Sequence, residues 1–209
     1  IQLLPRMGQL AKHGCLITDL GSTKAAIVRA MAGLPGHLEA IGAPPMCGTE
    51  TSGLDAAEPD LYQGRVFVLT PLDRTGARAL ALAQEMIEAV GARLRVLEAE
   101  RHDRLVAAIS HLPYLLACGL VATAEKWAGD EPQLWQLAAG GFRDTSRLAA
   151  SQVEMMLDIL LTNREAVLEM LDDCQAQLHG LRALVQDMDE GHLRQELAGV
   201  AERRRSLFA

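Results

Sequence analysis

The hydrophobic period of the chain changes once, near residue 99, and that change limits the folds open to it. Before it, short apolar runs of strand length alternate with helical patterns. Cys15 to Asp19, Leu38 to Ile41, Arg65 to Thr70 and Arg93 to Leu97 read as strands, and helical stretches at 3 to 13, from Gly21 to Met31 and from Asp73 to Val90 lie between them. From His102 onward no segment has strand character. Leu105, Ile109, Leu112, Leu115, Leu116 and Leu120 recur at helical spacing with Pro113 as an expected kink. Helices are then expected at 145 to 150, 152 to 162, 163 to 188 and on to Leu207, with breaks at Gly140 to Asp144 and at Gly191. The fold class predicted is α/β plus all-α, with a first domain over 1–99 and a helical one over 100–209.

Local chemistry sets the element ends. Gly91 stops one helix, His13-Gly14 another, and Ser22 or Thr23 stands where a side-chain cap for the helix through Met31 is expected. A loop with a short helical turn is expected between Gly48 and Gly64, around Asp55 to Leu61. Ala166, Val167, Met170, Leu171, Cys174, Leu178, Leu181, Leu184 and Val185 form one stripe, longer than a small domain can cover, so a partner helix is predicted.

Composition narrows the function classes. Aromatics are 3% of the residues and the apolar content is carried by Leu, Ala, Val and Met, which suits helix packing. The net charge is −7, and Arg203-Arg204-Arg205 is the one dense basic run, so a nucleic-acid partner is not expected. A membrane span is not expected either, and the location predicted is cytoplasmic. The four cysteines have no C-x-x-C pair and read as reduced thiols, with no metal site. His102 and Asp103 read as an oriented His-Asp pair at a helix start rather than as metal ligands.

The α/β part carries no G-x-G-x-x-G. If it is the latter half of a dinucleotide fold, the first βαβ units, about 60 to 80 residues, are expected before Ile1.

Several short motifs occur in an order that carries more than any one of them. They are Thr18-Asp19-x-Gly21-Ser22-x-Lys24, Pro45-Met46-x-Gly48-Thr49-Glu50-x-Ser52-Gly53, Leu69-Thr70-Pro71, His102-Asp103, Ser110-His111-Leu112-Pro113, and Gly140-Gly141-Phe142-Arg143-Asp144-x-x-Arg147. Over about residues 1 to 165 this set resembles the prephenate/arogenate dehydrogenases, which make the tyrosine precursor. The resemblance implies the C-terminal half of a Rossmann-type nucleotide-binding domain followed by a helical domain that dimerises. It also implies a reaction. NAD or NADP takes hydride from C4 of prephenate, arogenate or a close analogue such as the 4-amino compound, a histidine takes the C4 hydroxyl proton, and carbon dioxide leaves.

On the matching positions the resemblance makes Ser22 and His111 catalytic candidates. Arg147, Ser110, Thr49 and Tyr114 become substrate-binding candidates, and Asp19, Gly21, Ser22 and Thr49 face the cofactor. The chain departs from the family at three places. Pro44 stands where the family has its catalytic histidine, Tyr114 where many members have a second histidine, and Met156 where some have tryptophan. His111 has two readings: a substitute base or carboxylate partner, or a structural hydrogen-bonding residue at the domain boundary. Lys24 faces either the cofactor or solvent. The expected partners are a small prephenate-like dicarboxylate and a second copy of the chain, bound through the C-terminal helices. The alternative function is a non-catalytic dimeric relative that binds a carboxylate ligand or a protein.

Overall fold

The computed structural model describes residues 1–48, 53 and 57–208. These divide into two compact units, Ile1–Val167 and Leu168–Ala209. The first unit opens with α1 (Leu4–Leu10), β1 (Leu16–Asp19), α2 (Ala25–Ala32), β2 (Glu39–Gly42), β3 (Val66–Pro71), α3 (Ala77–Ala89) and β4 (Arg93–Val96). The strands lie in sequence order in one sheet. β1 and β2 are parallel, as are β3 and β4, but β2 and β3 run antiparallel through Ile41 opposite Pro71 and Gly42 opposite Thr70. The sheet is therefore mixed, where the strand and helix alternation suggested only the α/β class. No helix joins β2 to β3 among the described residues, so the chain can turn back beside its own strand instead of crossing over.

Two apolar clusters cover the sheet. Leu4, Ile17, Met31, Leu34, Leu38, Ala40 and Leu72 form one. Ile41, Ala43, Phe67, Leu69, Ala83 and Ile87 form the other. Helix α2 is held at its C-terminal end by Arg74, whose guanidinium donates to the carbonyls of Leu38 at 2.6 Å, Met31 at 3.2 Å and Leu34 at 3.4 Å. At the end of α3, Gly91 takes φ +69°, a conformation that glycine adopts without strain.

After β4 the first unit is helical. α4 (Ala99–Val106) continues through a π-helical turn at Ala107–His111 into α5 (Leu112–Ala128). Pro113 does not break the helix; it follows directly on the π-helical turn, where the regular hydrogen-bond ladder is already shifted. The composite helix Ala99–Ala128 is, by length and composition alone, apolar enough to cross a membrane. It also carries the buried polar groups His102, Asp103 and His111 along its first half.

Next come α6 (Leu134–Leu137), α7 (Gly140–Ser146), a 3-10 turn at Arg147–Ala150 and α8 (Val153–Thr162). Gly140 to Asp144, expected as a break, is helical. The Thr145 and Ser146 hydroxyls donate to the carbonyls of Gly141 and Phe142, and Trp135 packs edge-on against Phe142 at 5.8 Å.

α9 (Arg164–Gln186) begins in the first unit, and α10 (Glu190–Leu207) belongs to the second. The break between them is at Met188, with φ +55°, and not at Gly191, which lies in the first turn of α10 behind the Asp189 cap. Leu178, Val185, Leu197 and Val200 are exposed. The residues around Asp55 expected to form a helical turn lie largely outside the described set, and 59–64 is turn.

Gly42 is the tightest point of the sheet. A Cβ there would lie 2.3 Å from Thr70 Oγ1 and 2.8 Å from Lys24 Cδ. Gly42→Ala is expected to lower the unfolding free energy by about 1–3 kcal/mol, the usual cost of overpacking. Gly180→Ala, at an open helical position, should leave stability unchanged or raise it by up to about 1 kcal/mol. Urea denaturation of the two variants beside the parent checks both.

Candidate active site

The site grows from the carboxyl end of β1. The Asp19 carboxylate accepts from the Gly21 N–H at 2.8 Å and from the Lys24 ammonium at 2.7 and 2.9 Å, closing the turn that carries Ser22. Gly21 and Ser22 are exposed on that turn, but Lys24 is fully buried. Burial pushes the Lys24 pKa down, against the pull of Asp19 and Asp103. Lys24 therefore faces neither solvent nor an open site, and its aliphatic stem packs over Gly42.

Ser22 and Thr23, expected to cap α2, make no cap; the N-cap residue is Lys24, whose side chain makes no capping bond. The cap comes instead from a residue 79 positions on: Asp103 accepts from the Lys24 N–H at 2.7 Å and the Ala25 N–H at 2.8 Å. Asp103 also accepts from His102 Nδ1 at 2.9 Å, and its backbone carbonyl accepts from Asn163 Nδ2 at 2.7 Å. The expected His-Asp pair is thus present, and among the described residues no group of three potential ligands forms a metal site. Thr23 meets Thr162 hydroxyl to hydroxyl at 2.8 Å.

His111 is buried, and its Nδ1 lies 3.2 Å from Asn163 Nδ2. The same amide nitrogen donates to the Asp103 carbonyl, which can only accept, so its identity is fixed. His111 Nδ1 is then the acceptor and Nε2 carries the proton. Burial holds the imidazole pKa below the ordinary value, opposed by Asp103 and helped by His102. The neutral ring is a donor from Nε2, and its structural bond is with Asn163.

Pro44 is fully buried; its carbonyl accepts from the Val68 N–H at 3.0 Å, extending the antiparallel contact past β2. Ser110 is exposed, and Tyr114 is half-buried one turn before Cys118, whose contact and the burial around it push the phenol pKa up. Arg147 is exposed on the 3-10 turn, which packs on α5, the helix that carries Tyr114. Thr49 lies outside the described residues. The structure thus joins Asp19, Gly21, Lys24, His102, Asp103, His111 and Asn163 into one network, with Ser22 exposed on the turn it closes and Arg147 and Tyr114 on neighbouring helical elements. Sequence reasoning missed Asn163 and the buried role of Lys24. A polar residue between the apolar stretches of α8 and α9 was the available signal for the first.

Residues 1–96 match the sequence model of the prephenate dehydrogenase nucleotide-binding domain, and residues 98–199 that of the prephenate dehydrogenase dimerization domain. The chain belongs to the prephenate dehydrogenase family. Among its relatives, a cyclohexadienyl dehydrogenase of Zymomonas mobilis is 35% identical over 191 residues, covering 90% of this chain and 64% of the relative. The Bacillus subtilis prephenate dehydrogenase is 33% identical, over 87% of this chain and 49% of the relative. The chain thus spans about half to two thirds of the length of these curated relatives. A crystal structure of the Aquifex aeolicus prephenate dehydrogenase in complex with hydroxyphenyl propionate and NAD+ superposes with TM-score 0.92 at 29% identity, covering 99% of this chain and 72% of that one. Synechocystis arogenate dehydrogenase gives TM-score 0.85 at 31% identity, with 99% and 76% covered. Membership fixes the architecture: a Rossmann-like nucleotide-binding domain with a mixed sheet, followed by a helical domain.

The His111 geometry has a consequence for stability. Its folded pKa lies below 6.5, so under that pH the unfolded chain takes up a proton that the folded chain refuses. Stability is expected to fall as pH drops from 6.5 towards the folded pKa, and His111→Gln should flatten that part of the profile. Urea midpoints at neutral and mildly acid pH for both proteins measure it.

Proposed function

We propose that the protein carrying this chain is an NAD(P)-dependent dehydrogenase that oxidatively decarboxylates prephenate, arogenate or a close analogue. The observation that supports this most is the polar network at the carboxyl end of β1, where ligands of α/β sheets bind. It holds the exposed Gly21-Ser22 edge rigidly, in a chain of this family.

The described residues suit only part of a dinucleotide site. Two amides at the start of α2, those of Lys24 and Ala25, are taken by Asp103, which places a carboxylate where a phosphate would otherwise sit, and the chain has no G-x-G-x-x-G. The residues fit the nicotinamide side, with Gly21, Ser22 and Thr49 as contacts and Asp19 shaping the turn. A bound nicotinamide would supply the hydride acceptor. The chain's own part is to bind and orient the substrate: Arg147 offers a planar guanidinium to a carboxylate, and Ser110, Tyr114 and the His111 Nε2–H offer further donors. In this reading 1–99 serves the cofactor and 100–209 the substrate and the dimer, in the cytoplasm.

The buried Pro44 favours a second reading, since it can accept no proton: a dimeric relative that binds a carboxylate ligand without hydride transfer. Absorbance of reduced cofactor, followed with the full-length protein and prephenate or arogenate, separates the two. Turnover is expected, and binding of either compound without turnover would leave the second reading standing. Arg147→Ala is expected to raise KM about 10-fold or more, with the dimer intact.

The exposed apolar positions of α9 and α10 suit a helical dimer interface. Leu178→Glu with Val185→Glu is expected to shift the protein to monomer in sedimentation velocity, and an unchanged dimer would place the interface elsewhere.

A further inference from the structure

We propose that Pro113 is a positioning residue: it pins the π-helical turn at Ala107–His111, and the pinned turn puts His111 in the core and leaves Ser110 facing outward. The placement is a property of the fold. Its consequence for substrate, through the Ser110 hydroxyl, rests on the dehydrogenase reading above.

Burial along the composite helix slips by one residue. Ala99, His102, Asp103 and Val106 are buried, at the three- and four-residue spacings of one α-helical face. Continued at the same period, that face would next reach residue 110. Ser110 is instead exposed, with Ala108 and Ile109, and burial resumes at His111. The angles agree. Each α-helical residue turns about 100°, so the steps from Asp103 to His111 would leave the two about 80° apart around the axis. One extra residue taken up in a π-turn removes about 100° and brings them within about 20°. They do share a face, because Asn163 Nδ2 donates both to the Asp103 carbonyl at 2.7 Å and to His111 Nδ1 at 3.2 Å.

The extra residue requires a bulge but does not say where it falls. Pro113 supplies the place. In a regular helix its ring would meet the carbonyl of Ile109, and that carbonyl would lose its donor. In the structure the ladder has already shifted, with the Leu112 N–H bonded to the Ala107 carbonyl five residues back. The wider turn makes room for the ring. Ala108 and Ile109, whose carbonyls a donor at 113 would serve in π or α register, are exposed, so water can serve them instead.

A bulge one turn further on would carry the α register through residue 110, burying the Ser110 hydroxyl and turning His111 out. The Asn163 bond to His111 favours the observed place. Pro113 forbids the alternative, since the helix before it would then be regular and its ring would meet Ile109.

Three measurements on the full-length protein test this. Deleting Ala108 removes the extra residue and leaves Pro113 in a regular helix, so it is expected to lower the folding constant in urea about 100-fold or more. Combined with Pro113→Ala, the same deletion should cost about tenfold at most. Equal loss in both backgrounds, failure to fold included, overturns the pinning. In 15N-histidine spectra the parent should show one His111 species, protonated at Nε2, and Pro113→Ala should split or broaden it as the bulge moves. An unchanged His111 signal in Pro113→Ala also overturns the proposal. Turnover then tests the consequence for substrate. A parent that reduces no cofactor with prephenate or arogenate sinks the dehydrogenase reading and leaves the placement to the first two measurements. With an active parent, Pro113→Ala is expected to raise KM about tenfold while kcat stays within about threefold, and an unchanged KM overturns the link through Ser110.

Discussion

The Asp103 carboxylate is the interaction on which the rest of the first unit depends. It replaces the missing cap of α2, fixes the proton position of His102, and lies in the field of the Lys24 ammonium. A buried carboxylate is tolerated only when its lone pairs are filled, and here the donors come from two segments 79 residues apart in sequence. Those segments fall on either side of the boundary between the two family domains. Their association is thus written in hydrogen bonds to one residue as well as in apolar area. Asn163 adds a third segment through the Asp103 carbonyl.

The buried ion pair beneath the turn works in the same way. Lys24, fully buried, and Asp19, partly exposed, gain little net stability from meeting, but together they hold the Gly21 amide in one geometry beside Ser22. Tight packing of Lys24 and Thr70 against Gly42 ties that turn to the sheet. Pro44, next along, contributes shape and a carbonyl but no chemistry of its own. The turn after β1 is therefore held from below by charged bonds and from the sheet side by packing.

What the sequence made legible was mostly local. Apolar runs located the four strands, Gly91 located a helix end, and the ordered motifs carried the family. The His-Asp pair was readable because adjacent residues need no fold to meet. The cap of α2 was not, because Ser22 and Thr23 had the right type in the right place and a carboxylate from far along the chain took the position instead. Lys24 was ambiguous for the same reason: periodicity says which face a lysine occupies, but only the fold supplies the anions that let it be buried. Helical Gly140 to Ser146 likewise depends on hydroxyl back-bonds and on the Trp135 contact, which outweigh glycine's poor propensity.

Helix α2 is tied at both ends by side chains from elsewhere, Asp103 at its first amides and Arg74 at its last carbonyls. A helix anchored this way cannot slide or tilt to suit a new ligand without losing charged bonds at one end or the other. Variation is then easiest in the side chains of the exposed Gly21-Ser22 edge, which carry none of these bonds. A change of scaffold there would meet resistance from both anchors at once.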